Sequence, residues 1–336
     1  MEWWVDRSLD GAGATLHHSV TPAFPMRVLV TGATGFVGRE ILRQLRQQGQ
    51  SIRILARSPH LPRVQEAVSH WGADVHPGDV LAAASLDGAL RGMDAVIHLV
   101  GIISEVGEST FENVHTRGTG NLLAAAQRAG VRRFVHMSAL GTRPNAISRY
   151  HQTKWAAEEL VRDSGLDYTI FRPSLIYGPE DQFINLFVSI IRVSPVVPLL
   201  GSPCARFQPV SVEAVAAAFA RSLGEPKAMG QTYDLCGPVA LTLSEIVDRI
   251  LDVLGKRRFK LHVPLGLERC QAACLEFVFR RLLRKAPPLN RDQLLMLQED
   301  NVGNPVPTNE LFGLRPVPLR EGIARYLRKR NVMGTT

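Results

Sequence analysis

Apolar and polar positions along this chain alternate between short buried runs and longer helical stripes. Residues 28–30 form an apolar run of strand length, and Ile41, Leu42 and Leu45 follow at helical spacing. The strand signal returns at 51–56, 73–76, 95–100, 134–138 and 168–172. Helical stripes lie between them, among them 121–126 and 155–160. Such alternation predicts right-handed crossovers and an α/β fold with a doubly wound parallel sheet. After Pro173 the rhythm changes. Prolines become frequent (Pro195, Pro198, Pro203, Pro209), and helical stripes dominate at 243–254 and 266–283. The expected organisation is a flexible extension at 1–25, or a true start at Met26, then a nucleotide-binding domain at 26–173. Residues 174–336 are expected to form a smaller, mostly helical lobe over the carboxyl ends of the strands, with room for strands that return to the main sheet.

Between the first strand and the first helix stand Gly32, Gly35 and Gly38, spaced Gly-x-x-Gly-x-x-Gly. Gly32 permits a tight turn, Gly35 lets backbone N–H groups reach a pyrophosphate, and Gly38 lets the helix pack closely on the sheet. Thr34, Phe36 and Val37 complete the loop. The helix N-terminus then offers unpaired N–H groups and a favourable dipole to negative charge. The second strand decides the nucleotide. No Asp or Glu occurs from Ser51 to His60, and Arg57 stands where an acid would hold the adenosine 2′-hydroxyl. A guanidinium suits a 2′-phosphate, so NADP(H) is favoured over NAD(H). The alternative is a solvated charge after a strand. Asp79 can accept from an adenine amino group and Val80 can pack on the ring, or Gly78-Asp79 is a plain turn. Val100 and Gly101 let backbone lie against the cofactor, or merely end the fourth strand.

Tyr150 and Lys154 lie i,i+4 on one helix face. In a dinucleotide enzyme such a lysine holds the nicotinamide ribose and lowers the tyrosine pKa. The phenol then passes a proton to or from a carbonyl as hydride moves. Ser138 is placed to give that oxygen a second hydrogen bond.

Composition adds limits. With 336 residues, 45% hydrophobic and 21% charged, the chain is an ordinary globular one. Its longest apolar stretch, 186–200, is broken by Arg192, Pro195 and Pro198, which excludes a membrane span there. The net charge of +8 suits anionic partners, but no nucleic-acid motif accompanies it. Lys256, Arg257, Arg258 and Lys260 form one basic run. Arg280, Arg281, Arg284 and Lys285 form another, beside Phe277, Phe279 and Leu282. The second reads as a helix on an anionic membrane surface or as a solvated face over a core stripe. Four cysteines (Cys204, Cys236, Cys270, Cys274) make no zinc pattern and are expected to be reduced, and no metal is expected. The expected location is cytoplasmic, or peripheral to the inner membrane.

With these motifs the chain resembles the extended short-chain dehydrogenase/reductases over residues 26–302, through the glycine loop, Tyr150 with Lys154, and Arg172-Pro173-Ser174. Within them it is similar to the atypical branch of the nucleotide-binding accessory subunit of respiratory complex I. The marks are 134–140, Ser148-Arg149-Tyr150, the run 171–185, Phe207-Gln208-Pro209-Val210 and Asp300-Asn301-Val302. The resemblance implies a Rossmann fold and tightly held NADP(H), and adds Pro173 and Ile176 to the cofactor-binding positions. It leaves two functions open. One is an atypical reductase acting on a carbonyl, quinone-type or other lipophilic small molecule. The other is a non-catalytic subunit, sensor or assembly protein of a membrane redox complex. A sugar-nucleotide epimerase is disfavoured by Arg57. Two positions depart from the catalytic pattern. Ala139 replaces a serine or threonine, and His115 replaces an asparagine before Gly118-Thr119. His115 is either a proton relay or a satisfied histidine within a helix.

Overall fold

The computed structural model describes residues 25–263 and 290–333. Six strands follow in order: β1 (Arg27–Thr31), β2 (Ser51–Ala56), β3 (Asp74–Pro77), β4 (Ala95–His98), β5 (Arg133–Met137) and β6 (Asp167–Pro173). Shorter ones come next: β7 (Ile176–Tyr177), β8 (Val196–Leu199), β9 (Arg206–Phe207) and β10 (Val210–Ser211). The last three are β11 (Gln231–Leu235), β12 (Leu241–Thr242) and β13 (Phe259–His262). The main sheet has seven strands in the order β11-β6-β5-β4-β1-β2-β3, and every neighbouring pair is parallel. The strand order reverses between β1 and β4, which opens the ligand crevice at their carboxyl ends.

The helices are α1 (Phe36–Gln47), α2 (Pro62–Trp71), α3 (Leu86–Leu90), α4 (Gly118–Arg128), α5 (Arg149–Arg162) and α6 (Phe183–Val193). They continue with α7 (Val212–Ser222), α8 (Leu243–Leu254), α9 (Arg291–Met296), α10 (Val306–Leu311) and α11 (Leu319–Met333). Ile41, Leu42 and Leu45 of α1 share one core with Val28, Val30 and with Val215 and Phe219 of α7. Leu122, Leu123 and Ala126 of α4 and Val161 of α5 cover the other face with Leu29, Val96 and Phe134. A third core joins α6, α8 and α11 through Ile184, Ile191, Ile250 and Ile323. Residues beyond Pro173 therefore serve two bodies: α7 and β11 complete the sheet layer, while α6, α8 and α11 build a separate lobe.

Of the six strands that the periodicity predicts, five lie where it puts them, within a residue at either end. The exception is β4, which ends at His98, two residues before the expected end at Val100. Leu99 N–H still reaches Thr31 O at 3.1 Å, but the chain then passes over the glycine loop and leaves the ladder. Residues 1–24 of the expected extension, the helix expected at 266–283, the basic run at 280–285, and Cys270 and Cys274 lie outside the described residues. No helix among the described residues is long and apolar enough to cross a membrane.

Gly38 carries a packing requirement that the glycine spacing anticipates. A Cβ there would sit 2.4 Å from Gly32 O and 2.6 Å from Ala33 O. Backbone on both sides leaves the methyl nowhere to go, so Gly38→Ala must lift α1 from the loop. We expect a loss of about 1–3 kcal/mol, read as a lower urea midpoint. An unchanged midpoint would mean that α1 shifts without cost.

Candidate functional site

The crevice begins at the glycine loop. Gly32 has φ +73°, and an added Cβ would meet Leu99 C and Val100 N at 3.1 Å, so only glycine fits this turn without strain. Gly35 N–H closes the turn on Gly32 O at 3.1 Å. As N-cap of α1, Gly35 supplies no side chain, and the first helical turn holds no acidic residue. The helix start thus presents N–H groups and the positive end of its dipole to an anion. Thr34 and Phe36 are half-buried and Val37 is buried. The Phe36 ring lies 3.0 Å from where a Gly178 Cβ would stand, which couples the loop to the turn after β7. Arg39 strengthens that link, reaching Glu180 at 2.8 Å and Glu66 at 2.7 Å.

Arg57 follows β2 on the surface, and no ion pair among the described residues engages it. Asp79 uses Oδ1 to accept from Leu81 N–H at 2.9 Å, so the carboxylate does hold a turn. Val80 beside it is buried against α4, its Cγ2 3.0 Å from the place of a Gly118 Cβ. Val100 is half-buried and Gly101 exposed where the chain leaves β4.

Lys154 is the centre of the opposite wall. Its side chain is 2% exposed, and Nζ donates to Met137 O at 2.8 Å. Burial lowers its pKa from 10.5 to about 8, with Glu158 one helical turn on opposing the fall. A Cβ on Gly101 would stand 3.4 Å from Lys154 Nζ and 3.6 Å from His115 Nε2. Positions 101, 115 and 154 therefore meet at one point. Tyr150, half-buried, sets its ring edge-on to His115 at 5.2 Å and to Phe111 at 5.9 Å. Burial pushes its phenol up to about 12, so the lowering by Lys154 that the pair leads one to expect is not seen here. Ser138 leaves β5 with its N–H on Phe171 O at 2.8 Å; its buried hydroxyl faces Thr142 Oγ1 at a long 3.5 Å.

His115 is fully engaged. Its Nε2 accepts from Ile102 N–H at 3.1 Å, and its Nδ1 meets Thr153 Oγ1 at 3.0 Å. Thr153 in turn donates to the carbonyls of Arg149 and Tyr150, so Nδ1 carries the proton and the ring is neutral. Burial first, then the Lys154 charge, pushes its pKa to about 2. As folded, this ring has no nitrogen left for a proton relay. His98 is similar: Nδ1 meets Thr31 Oγ1 at 2.7 Å, Nε2 meets Thr119 Oγ1 at 3.0 Å, and burial lowers it to about 3.

Pro173 is buried and accepts Leu140 N–H at 2.9 Å, while Ile176 pairs with Val210 across β7 and β10. Their neighbours brace the site. Arg172 grips Glu158 through two bonds of 2.8 and 2.6 Å, and Arg162 binds the same carboxylate, which is 0% exposed. Nothing in the local sequence marks Glu158, yet it joins α5 to β6. Asn301 receives the Ser174 hydroxyl at 2.6 Å and donates to Leu140 O at 2.9 Å, fixing the loop that carries Ser138. Cys236 is buried, which pushes its thiol up to about 12, and Cys204 is exposed.

Known proteins resemble this chain in sequence and in fold. An NAD(P)H-binding family profile matches residues 32–186. The mitochondrial NADH dehydrogenase [ubiquinone] 1 alpha subcomplex subunit 9 of Arabidopsis thaliana is 30% identical over 277 residues, 81% of this chain and 68% of that one. A (4-alkanoyl-5-oxo-2,5-dihydrofuran-3-yl)methyl phosphate reductase of Streptomyces griseus is 32% identical over 307 residues, 89% of this chain and 97% of that one. Among solved structures, DesIV, a dTDP-glucose 4,6-dehydratase from Streptomyces venezuelae with NAD and TYD bound, superposes with a TM-score of 0.68. It is 25% identical, over 90% of this chain and 96% of that one.

Proposed function

The chain belongs to the extended, epimerase/dehydratase-like short-chain dehydrogenase/reductases, and from that premise we propose that it is an NADPH-dependent reductase of a carbonyl or quinone-type substrate. The observation that carries this reading is Lys154. Its ammonium has three protons and, among the described residues, one hydrogen-bond acceptor, Met137 O, beside a glycine whose missing Cβ leaves room 3.4 Å from Nζ. That donor set fits the two hydroxyl oxygens of a nicotinamide ribose. At the other end of the crevice, the first turn of α1 receives the pyrophosphate and Arg57 the 2′-phosphate. When bound, the nicotinamide supplies the hydride. Tyr150 supplies the proton in the reductive direction: burial holds its phenol near 12, so the proton it would donate is in place at neutral pH. Ser138 orients the carbonyl oxygen. The Streptomyces relative, a reductase by name, supports the same direction.

The test is single-turnover oxidation of bound NADPH offered aldehydes, ketones and quinones, followed by loss of reduced-nicotinamide absorbance. Tight NADPH binding with no oxidation by any of them would remove the enzyme reading. The cofactor choice has its own test. Arg57→Glu is expected to lower the NADPH-over-NADH preference about tenfold, the size of one charge-assisted contact. An unchanged ratio would return Arg57 to an ordinary surface charge.

A second reading is favoured by His115, whose ring nitrogens are both engaged, and by Ala139 in place of a hydroxyl. In it, the protein binds NADPH without turnover and serves a membrane redox complex, a reading supported by the relative named as a mitochondrial NADH dehydrogenase subunit. NADPH-dependent co-sedimentation with membranes, without oxidation, separates it from the first.

A further inference from the structure

Two walls enclose the reacting end of the crevice: the loop after β4, at Gly101–Ile103, and the first turn of α5, which carries Tyr150. Both are held by one short segment from far along the chain. Asn290 is 1% exposed and donates from Nδ2 to Ile103 O at 2.8 Å. Its other groups are used as well. Oδ1 accepts from Gln293 N–H at 2.8 Å, and its own N–H donates to Gln293 Oε1 at 3.0 Å, a capping box at the start of α9. Two residues on, Asp292 takes the other wall. Its Oδ1 accepts from Arg149 N–H at 3.0 Å and its Oδ2 from Tyr150 N–H at 2.8 Å.

These two N–H groups are among the donors that a helix start leaves unpaired. The rest of the turn is satisfied locally, with His151 N–H on Ser148 Oγ at 3.2 Å and Gln152 N–H on Ser148 O at 3.1 Å. Asp292 therefore completes the cap and places a carboxylate at the positive end of the α5 dipole. Other links join the same walls. His115 binds Ile102 N–H and Thr153, and Glu105 approaches Arg149 at 3.5 Å. The peptides of Ile102 and Ile103 are thus fixed in succession, one from within the sheet domain and one by Asn290.

We propose that Asp292, with Asn290, is the positioning residue for Tyr150: the pair sets the distance between the loop after β4 and the first turn of α5. The proposal rests on Tyr150 as proton donor. Asp292 does not touch the reacting atoms; it acts through the backbone of the residue that does. Without it, the first turn of α5 frays and the phenol loses its fixed approach, while the glycine loop and Lys154, one turn further on, remain in place.

The full-length protein decides this in three readouts, for Asp292→Ala, Asp292→Asn and Asn290→Ala. The first is amide hydrogen exchange at 149–150. The second is the Cζ resonance of Tyr150 in protein labelled with 13C-tyrosine, assigned with Tyr150→Phe. The third is the single-turnover rate with NADPH. For Asp292→Ala we expect exchange at 149–150 to rise at least tenfold, the Tyr150 resonance to move, and the rate to fall at least tenfold, with NADPH affinity within twofold of wild type. Asp292→Asn keeps one acceptor oxygen and is expected to fall between, which also covers a poorly folding alanine variant. Unchanged exchange at 149–150 overturns the cap. Faster exchange with an unmoved Tyr150 resonance reduces Asp292 to a structural cap and overturns its positioning role. If the wild type itself never oxidises NADPH, the reductase reading fails, and exchange and resonance still decide whether Asp292 places the Tyr150 ring.

Discussion

Replacing Lys154 with methionine is expected to stabilise the cofactor-free protein and to weaken its hold on NADPH, two effects of opposite sign from one side chain. The ammonium is 2% exposed, and burial outweighs the help from Glu158, taking its pKa from 10.5 to about 8. That fall corresponds to about 3 kcal/mol of cost in holding the charge inside the fold. The sign follows from proton counting. Between about pH 8 and 10.5 the unfolded chain binds more proton at this position than the folded one, so the position adds stability as pH rises through that window. Below about 8 the cost is fully present. Methionine removes it, together with the bond to Met137 O, so a net gain of about 1–2 kcal/mol is expected at pH 7. Urea unfolding of both proteins at pH 7 and pH 10 reads it, and the gap should narrow at the higher pH. Nucleotide affinity moves the other way. Losing charge-assisted bonds to the ribose costs about 1.5–3 kcal/mol, a weakening of ten- to a hundredfold in Kd. For the same reason wild-type affinity for NADPH should decline as pH rises through about 8. A variant less stable than wild type at pH 7 would make the ammonium a structural brace instead of a retained binding group.

The sheet was legible because its central strands are buried on both faces and read as continuous apolar runs, as at Val28, Leu29 and Val30, each 0% exposed. β11 lacked that signal. Its sequence, Gln-Thr-Tyr-Asp-Leu, buries only Leu235, and its place is set by pairing with β6 at the sheet edge. The π-helical turn Glu112–Arg117 before α4 was equally hidden: it buries only Val114 and His115, adjacent positions that set no period. The glycine loop was legible in detail, down to the steric need at Gly38, because the constraint is local. Tyr150 and Lys154 were legible as a pair on one helix. Their surroundings were not. Gly101, His115 and Lys154 converge only through the strand order, and Asp292 acts on backbone N–H groups, which impose no pattern on the residues that own them. Glu158 shows the same limit: a helical glutamate i,i+4 from Arg162 looks like a surface pair until β6 brings Arg172 and closes solvent off.

Tyr150→Phe is expected to slow hydride transfer by about a hundred- to ten-thousandfold, the range spanned by a positioned general acid. In free energy that is about 3–5 kcal/mol of the barrier. The substitution is clean here. The ring contacts with Phe111 and His115 are made by the aromatic face and edge, which phenylalanine keeps, and the backbone N–H remains on Asp292. NADPH affinity should therefore stay within about twofold, so the loss appears in the single-turnover rate alone. The pH profile adds a second discriminator. With the phenol near 12, Tyr150 keeps its proton across the physiological range, so the reductive rate should show no limb from it below about pH 10. A fall beginning near pH 8 belongs to Lys154 and should persist in the phenylalanine variant on whatever rate remains. Oxidation of the reduced substrate requires the phenolate to be present beforehand so that it can take up a proton, and burial disfavours that form at neutral pH. The forward and reverse reactions should thus respond differently to pH, with reduction flat through neutrality and oxidation rising towards alkaline pH. A Tyr150→Phe protein that reduces its substrate at the wild-type rate would take the proton from another donor, and the pair of Tyr150 and Lys154 would then be a cofactor-holding face and no more.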